Sequence, residues 1–183
     1  MLKKSILLGS ILLLLTFTGC SQDNGDINSM LSTNEYVLKG LDSKEYIVKK
    51  VGKGFTLENS KGKVIIFDIF ATWCPPCRAS ASHLTSLQKK YKDDLVIIGL
   101  SIEDNIPNTK LQEFAKKYDA QYILVNSAQN RVLSDAIVKE LGLGDRYPIP
   151  TMAMYKDSKL INHFVGMVEE EFIESDIKQA LGK

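Results

Sequence analysis

The chain has 183 residues, 44% of them hydrophobic, enough for one domain with a sizeable core and no reliance on metals or a framework of disulfides. With 23 basic and 22 acidic residues its formal charge is +1, which gives no electrostatic case for nucleic acid or for an acidic partner surface. There is no internal repeat or low-complexity tract.

Lys3 and Lys4 precede an apolar run from Ile6 to Phe17, which ends in Thr18, Gly19 and Cys20. A basic start, an apolar stretch and a small-residue end form the pattern of an export signal. The run is shorter than the roughly 20 residues needed to cross a hydrocarbon core, so a transmembrane anchor is the weaker reading. A cysteine directly after Gly19 resembles the bacterial lipobox, in which that cysteine is lipidated and becomes residue one. Phe17 departs from the leucine usual at its position. The expectation is a signal over residues 1–19, lipid on Cys20, a polar and turn-rich tether over 20–33, and a folded domain over 34–183. The alternative is plain secretion with a free thiol at Cys20. Cleavage would remove Lys3 and Lys4, leaving 21 basic against 22 acidic residues, so attachment would rest on lipid and not on a basic patch.

Tyr36-Val37-Leu38 and Tyr46-Ile47-Val48 are short β-type runs around Gly40-Leu41-Asp42-Ser43, which predicts a hairpin. Phe55-Thr56-Leu57 adds a third edge piece. Val64 to Phe70 is apolar on both alternating faces, as a central strand covered on both sides is. A helix is predicted from Cys74 to Tyr91, then a second doubly apolar strand from Leu95 to Leu100. Leu111, Phe114, Ala115 and Tyr118 fall on one helical face. Tyr122 to Val125 reads as a strand, and Arg131 to Leu141 as a helix stopped by Gly142. Thr151–Tyr155 and Leu160–Val165 flank a short turn and predict an antiparallel hairpin. Glu169, Glu170 and Glu171 open a last helix, where the dipole favours acidic charge. Alternating β and α units followed by a hairpin and a helix define an α/β fold, a mixed sheet with helices on both faces.

Cys74 and Cys77 are separated by two residues in Trp73-Cys74-Pro75-Pro76-Cys77. A bridge closing so small a loop adds little chain-entropy stabilisation, so the pair suits cycling better than stapling. Assigning Cys20 to lipid leaves these two as the only pair. Cys74 falls at a helix start, where unpaired N–H groups and the dipole stabilise a thiolate, and such sites lower a thiol pKa from about 8.5 to between roughly 3.5 and 7.5. Pro75 and Pro76 are tolerated there because first-turn N–H groups have no intrahelical partner to lose. Cys77, a turn further in, is expected to be more buried and to resolve. Other readings of the pair are half a zinc site, which lacks a second pair of ligands, and a static bridge. Asp68 is odd inside an apolar strand: a buried carboxylate costs several kcal/mol unless paired or protonated, and the alternative is a partly solvated position.

The run Phe70-Ala71-Thr72-Trp73-Cys74-Pro75-Pro76-Cys77-Arg78 resembles the active-site segment of the thioredoxin superfamily, and more narrowly its membrane-tethered, extracytoplasmic TlpA/ResA-like branch. The resemblance runs from about Phe55 to the C-terminus. It implies a thioredoxin fold with an N-terminal β-hairpin extension and a central strand–helix insertion, roughly Asn105 to Asn130. Phe164-Val165-Gly166-Met167-Val168-Glu169-Glu170 resembles the family's approach to its last helix. By the same resemblance Pro150 is the cis-proline facing the cysteines, and the backbone of Ile149 pairs with an extended substrate segment. Asp68 stands six residues before Cys74, as does the buried carboxylate of thioredoxin itself, and would deprotonate Cys77; many members of the branch have Asn there. Trp73 would shield the site and, with Pro75 and Pro76, meet substrate; the alternative for Trp73 is a simple packing role. Ser80 and Ser82 stand where the family often has Glu and then Pro, so the usual helix kink and one charge are expected to be absent.

The resemblance implies a thiol–disulfide oxidoreductase of the bacterial cell envelope, facing the periplasm or the outer side of the cytoplasmic membrane, with no cofactor and no metal. The expected direction is reduction of protein disulfides, with apocytochrome c cysteines as a plausible target and a CcdA/DsbD-type thiol-reducing transporter as donor. A monomer is expected. The rivals are a disulfide-forming oxidase on the same fold and a copper metallochaperone using Cys74, Cys77 and His163. His83 and His163 otherwise read as surface or packing residues.

Overall fold

The computed structural model describes residues 34–183; the expected signal, the lipidation site Cys20 and the tether lie outside the described residues. In chain order the elements are β1 (Glu35–Lys39), β2 (Glu45–Val51), β3 (Gly54–Leu57), β4 (Val64–Phe70), α1 (Pro75–Lys90), β5 (Leu95–Ser101), α2 (Asn108–Tyr118), β6 (Ile123–Val125), α3 (Gln129–Glu140), β7 (Thr151–Lys156), β8 (Lys159–Val165) and α4 (Glu170–Leu181). The main sheet has the order β6-β5-β4-β7-β8. Its β4, β5 and β6 run parallel to one another, β7 pairs antiparallel with β4 and β8 antiparallel with β7, so the sheet is mixed as expected.

All seven residues of β4 are buried, because both faces of the strand are covered. Val64, Ile66 and Phe70 point to one face and pack under α1, α2 and α4. On α1 the buried positions Cys77, Ala81 and Leu84 recur at helical spacing, and α4 contributes Ile173 and Ile177. Ile65, Phe67 and Ile69 point to the other face, toward Leu133 and Ile137 of α3 and the apolar residues of β1–β3.

The N-terminal strands form their own three-stranded antiparallel sheet, with β3 as the second edge of the expected hairpin. This sheet lies on the face opposite the cysteine-bearing helix. Gly40 bridges to Val125, and Leu41 donates to the Leu124 carbonyl at 3.0 Å, which ties the β1–β2 turn to the edge strand β6. Gly54 passes so close to the β7–β8 turn that a Cβ would sit 1.7 Å from the Ser158 carbonyl oxygen, so only glycine fits. In that turn Asp157 and Ser158 both have positive φ, the twist that a tight hairpin requires.

Phe55 is fully buried and meets Phe67 and Tyr155 edge-on, with ring centroids 6.5 and 5.7 Å away. It joins the small sheet to the main one. Phe55→Ala should lower unfolding stability by about 3–5 kcal/mol, read as a fall in the urea midpoint at unchanged slope. A loss under about 1 kcal/mol would mean that the small sheet is not part of the core.

Candidate active site

The chain leaves the buried end of β4, turns through Ala71-Thr72-Trp73, and enters α1. Cys74 is the N-cap of that helix in extended conformation, with prolines at the first two helical positions. Its Sγ accepts a hydrogen bond from the Cys77 backbone N–H at 3.2 Å. One orphan donor of the helix start is therefore aimed at sulfur, the arrangement that stabilises a thiolate once the pair is reduced. Cys74 and Cys77 are joined as a disulfide with Cα atoms 5.3 Å apart.

The turn before the pair is held by side chains that the sequence did not single out. Glu103, just beyond β5, accepts from the Thr72 N–H at 2.6 Å and from the Thr72 hydroxyl at 3.0 Å. Arg78 donates from Nε to the Thr72 carbonyl at 2.8 Å, with its guanidinium over the Tyr118 ring. These bonds pin the residue that precedes Trp73. No spacing rule links positions 72 and 103, because their contact depends on how β4 and β5 end side by side.

The Ile149–Pro150 peptide is cis, and the Ile149 carbonyl oxygen lies 3.6 Å from Cys74 Sγ. Pro150 in turn accepts from the Gly166 N–H at 2.8 Å, which brings the end of β8 to the same corner. Trp73 is 59% exposed beside the pair, Pro75 is exposed and Pro76 half-buried. The cysteines are buried alike, at 2% and 3% exposure, so Cys77 is not the more buried of the two. The bridge and the Ile149–Pro150 loop cover Cys74 as fully as the helix covers Cys77. Helix α1 is unbroken over 16 residues, and Ser80 is buried on it with its hydroxyl donating to the Pro76 carbonyl.

Asp68 is buried at 3% exposure, so the partly solvated alternative fails. It alternates with Ile66 and Phe70 and thus faces the side of the sheet that carries α1 and the cysteines. The Tyr122 hydroxyl donates to its Oδ2 at 3.0 Å, while Oδ1 has no partner among the described residues. Burial pushes the carboxyl up to about 7, against a smaller downward pull from the Tyr122 hydrogen bond.

The three groups of the copper reading are not brought together. His163 pairs across β7–β8 with Ala153, which packs on the opposite face of the sheet from the cysteines. No group of three or more His, Cys, Asp or Glu side chains among the described residues is placed to hold a metal ion.

A mixed five-stranded sheet with a closed Cys-x-x-Cys pair at a helix start and a cis-proline against it defines a thioredoxin-fold thiol–disulfide oxidoreductase. The Redoxin family model matches residues 39–181, and the chain belongs to that family. It is 26% identical over 180 residues to the thiol-disulfide oxidoreductase ResA of Bacillus cereus, covering 97% of this chain and 98% of that protein. Among solved structures it resembles a thiol:disulfide interchange protein of Chlorobium tepidum, with a TM-score of 0.61 and 21% identity over 81% of this chain and 94% of that one. It also resembles an exposed lipoprotein thioredoxin of Streptococcus pneumoniae, with a TM-score of 0.57 and 20% identity over 79% and 98% of the two chains.

A carboxyl raised on folding binds more protons in the native than in the unfolded state between its two pKa values. Its stabilising state is therefore fully present below the usual carboxylate range and is lost as pH rises toward 7. Asp68→Asn should raise the stability of the oxidised protein by about 2–4 kcal/mol at pH 8 and change it little at pH 4, measured by urea unfolding at both. Equal effects at the two pH values would contradict burial of the charge.

Proposed function

We propose that this chain is an extracytoplasmic, lipid-anchored reductant of protein disulfides. The observation that carries the direction is Asp68, buried on the cysteines' face of the sheet. Above its raised pKa it is a negative charge in a low-dielectric site, and a second negative charge on a nearby thiolate is then disfavoured. Destabilising the dithiolate form favours the disulfide, which makes the dithiol the better electron donor. Strong oxidants of this chemistry have the opposite property, a stabilised reduced form.

In the cycle, the Cys74 thiolate attacks a target disulfide and forms a mixed disulfide, and one target sulfur leaves as a thiolate. Asp68 takes the proton of Cys77, and the Cys77 thiolate attacks Cys74 Sγ. The bond from Cys74 to the target breaks, the target leaves with the electron pair, and Cys74–Cys77 closes. Two electrons pass from the dithiol to the target. Trp73, Pro75 and Pro76 would form the apolar rim that meets the target, and an extended segment would add alongside the Ile149 backbone, a reading supported by the exposure of Trp73 and by the Ile149 carbonyl beside Cys74.

The anchor rests on the signal-like N-terminus and Cys20, and the lipoprotein character of the pneumococcal structural neighbour supports it. Apocytochrome c cysteines fit as targets and a CcdA/DsbD-type membrane transporter as electron donor, both by likeness to the ResA-like branch. Mass spectrometry of the mature chain should find lipid on Cys20, and an unmodified Cys20 thiol would return the chain to plain secretion. In its native membrane a Cys77→Ser variant should accumulate target proteins as mixed disulfides on Cys74, and Cys74→Ser should not. Equal capture by both would overturn the assignment of attacking and resolving roles.

A further inference from the structure

Tyr122 stands immediately before β6, away from the cysteine-bearing helix, yet its hydroxyl is the one side-chain group that hydrogen-bonds the Asp68 carboxyl among the described residues. Its ring gets there across the face of β5, at a position where that strand has no side chain. In the parallel β4–β5 pair Asp68 is in register with Gly99, and β5 in turn places Gly99 beside Leu124 of β6. A Cβ on Gly99 would stand 3.0 Å from Tyr122 Cε2, 2.7 Å from Leu124 Cδ2 and 3.1 Å from Phe70 Cε1. The missing side chain is thus the slot in which the Tyr122 ring lies across β5 to reach β4. Glycine weakens a strand interior, and here it is occupied by a close approach of that kind.

The geometry points to Tyr122 as a positioning residue for the resolving step: seated in the Gly99 slot, it fixes the Asp68 carboxyl through Oδ2 and leaves Oδ1 as the atom that receives the Cys77 proton. This rests on the acid/base reading of Asp68 given above. The carboxyl has two oxygens, and the hydroxyl occupies one of them. The other is buried and takes no hydrogen bond from any described residue, which leaves it as the oxygen open to a proton. Without the hydroxyl the carboxylate would lose its one donor, and its charged form would be further disfavoured.

The other groups around Asp68 do not supply that tuning. Its cross-strand neighbours are Gly99 and Met152. From α2 and α4 the buried side chains on this face are Leu111, Phe114, Ile173 and Ile177, all apolar. On α1, beyond the cysteine pair at its start, Arg78 is engaged by Thr72 and Tyr118, Lys89 and Lys90 lie in the last turn, and His83 has its Nδ1 buried with no partner among the described residues. Tyr91 donates to Glu174 of α4, which also binds Lys90 and Lys178. On α2, Tyr118 lies under Arg78 and Lys117.

The test uses Tyr122→Phe in the full chain, which keeps the ring and removes only the hydroxyl. The Asp68 carboxyl resonance is titrated by carbon-13 NMR in the oxidised protein, and the rate of target release from a preformed Cys74 mixed disulfide is followed against pH. The expected result is an upward move of the Asp68 midpoint by about one pH unit or more, with the release profile moving by the same amount. Gly99→Ala, which crowds the slot, should move the midpoint in the same direction. An Asp68 midpoint unchanged by Tyr122→Phe would overturn the proposal, since a merely structural tyrosine would leave it there. A release profile that Asp68→Asn leaves unaltered would instead overturn the acid/base reading of Asp68, with the NMR shift still reporting on Tyr122.

Discussion

A strand with no solvent face, β4, sets the terms for everything around it. Because both of its sides are covered, its C-terminal end must release the chain at the rim of the sheet, and the next residues that can form a helix begin with Cys74. The same burial turns Asp68 from an ordinary carboxylate into a group that resists ionisation until about pH 7. The first cysteine of the pair and the buried acid are thus two consequences of one strand, six residues apart in the chain.

Two opposing fields act on the pair. The start of α1 directs the Cys77 N–H at Cys74 Sγ and favours negative charge on it. On the function proposed above, Asp68 once ionised disfavours it, and the balance of the two would set how readily the dithiol gives up electrons. Glu103 and Arg78 fix Thr72 at the turn, and the cis Ile149–Pro150 loop closes over Cys74. Tyr122 reaches the acid along the same face of the sheet, across the space that Gly99 leaves on β5.

Much of this was legible along the chain. The doubly apolar runs at Val64–Phe70 and Leu95–Leu100 became central strands with almost the same ends, since continuous burial leaves a continuous apolar signal. Helix α3 starts at Gln129, before the predicted Arg131, because its first turn is polar and carries no periodic signal. The cysteine pair announced itself by spacing, and Asp68 by its apolar neighbours. The contacts of Glu103 with Thr72 and of Tyr122 with Asp68 left no such trace. They depend on strand register, which brings residues 31 and 54 positions apart within hydrogen-bonding distance. Gly99 was hidden for a related reason: a glycine in a strand reads as a weak point until the ring that fills it is seen. The equal burial of the cysteines also escaped the sequence, because the loop that covers Cys74 comes from more than seventy residues further on.

The reduction potential of the full-length protein, equilibrated against glutathione or dithiothreitol buffers at pH 7, tests most directly whether the buried carboxyl makes this pair a donor of electrons. A value near that of thioredoxin, about −270 mV, is expected. A value near the strongly oxidising end, about −120 mV, would contradict it and make the same fold and the same cysteines a source of disulfides.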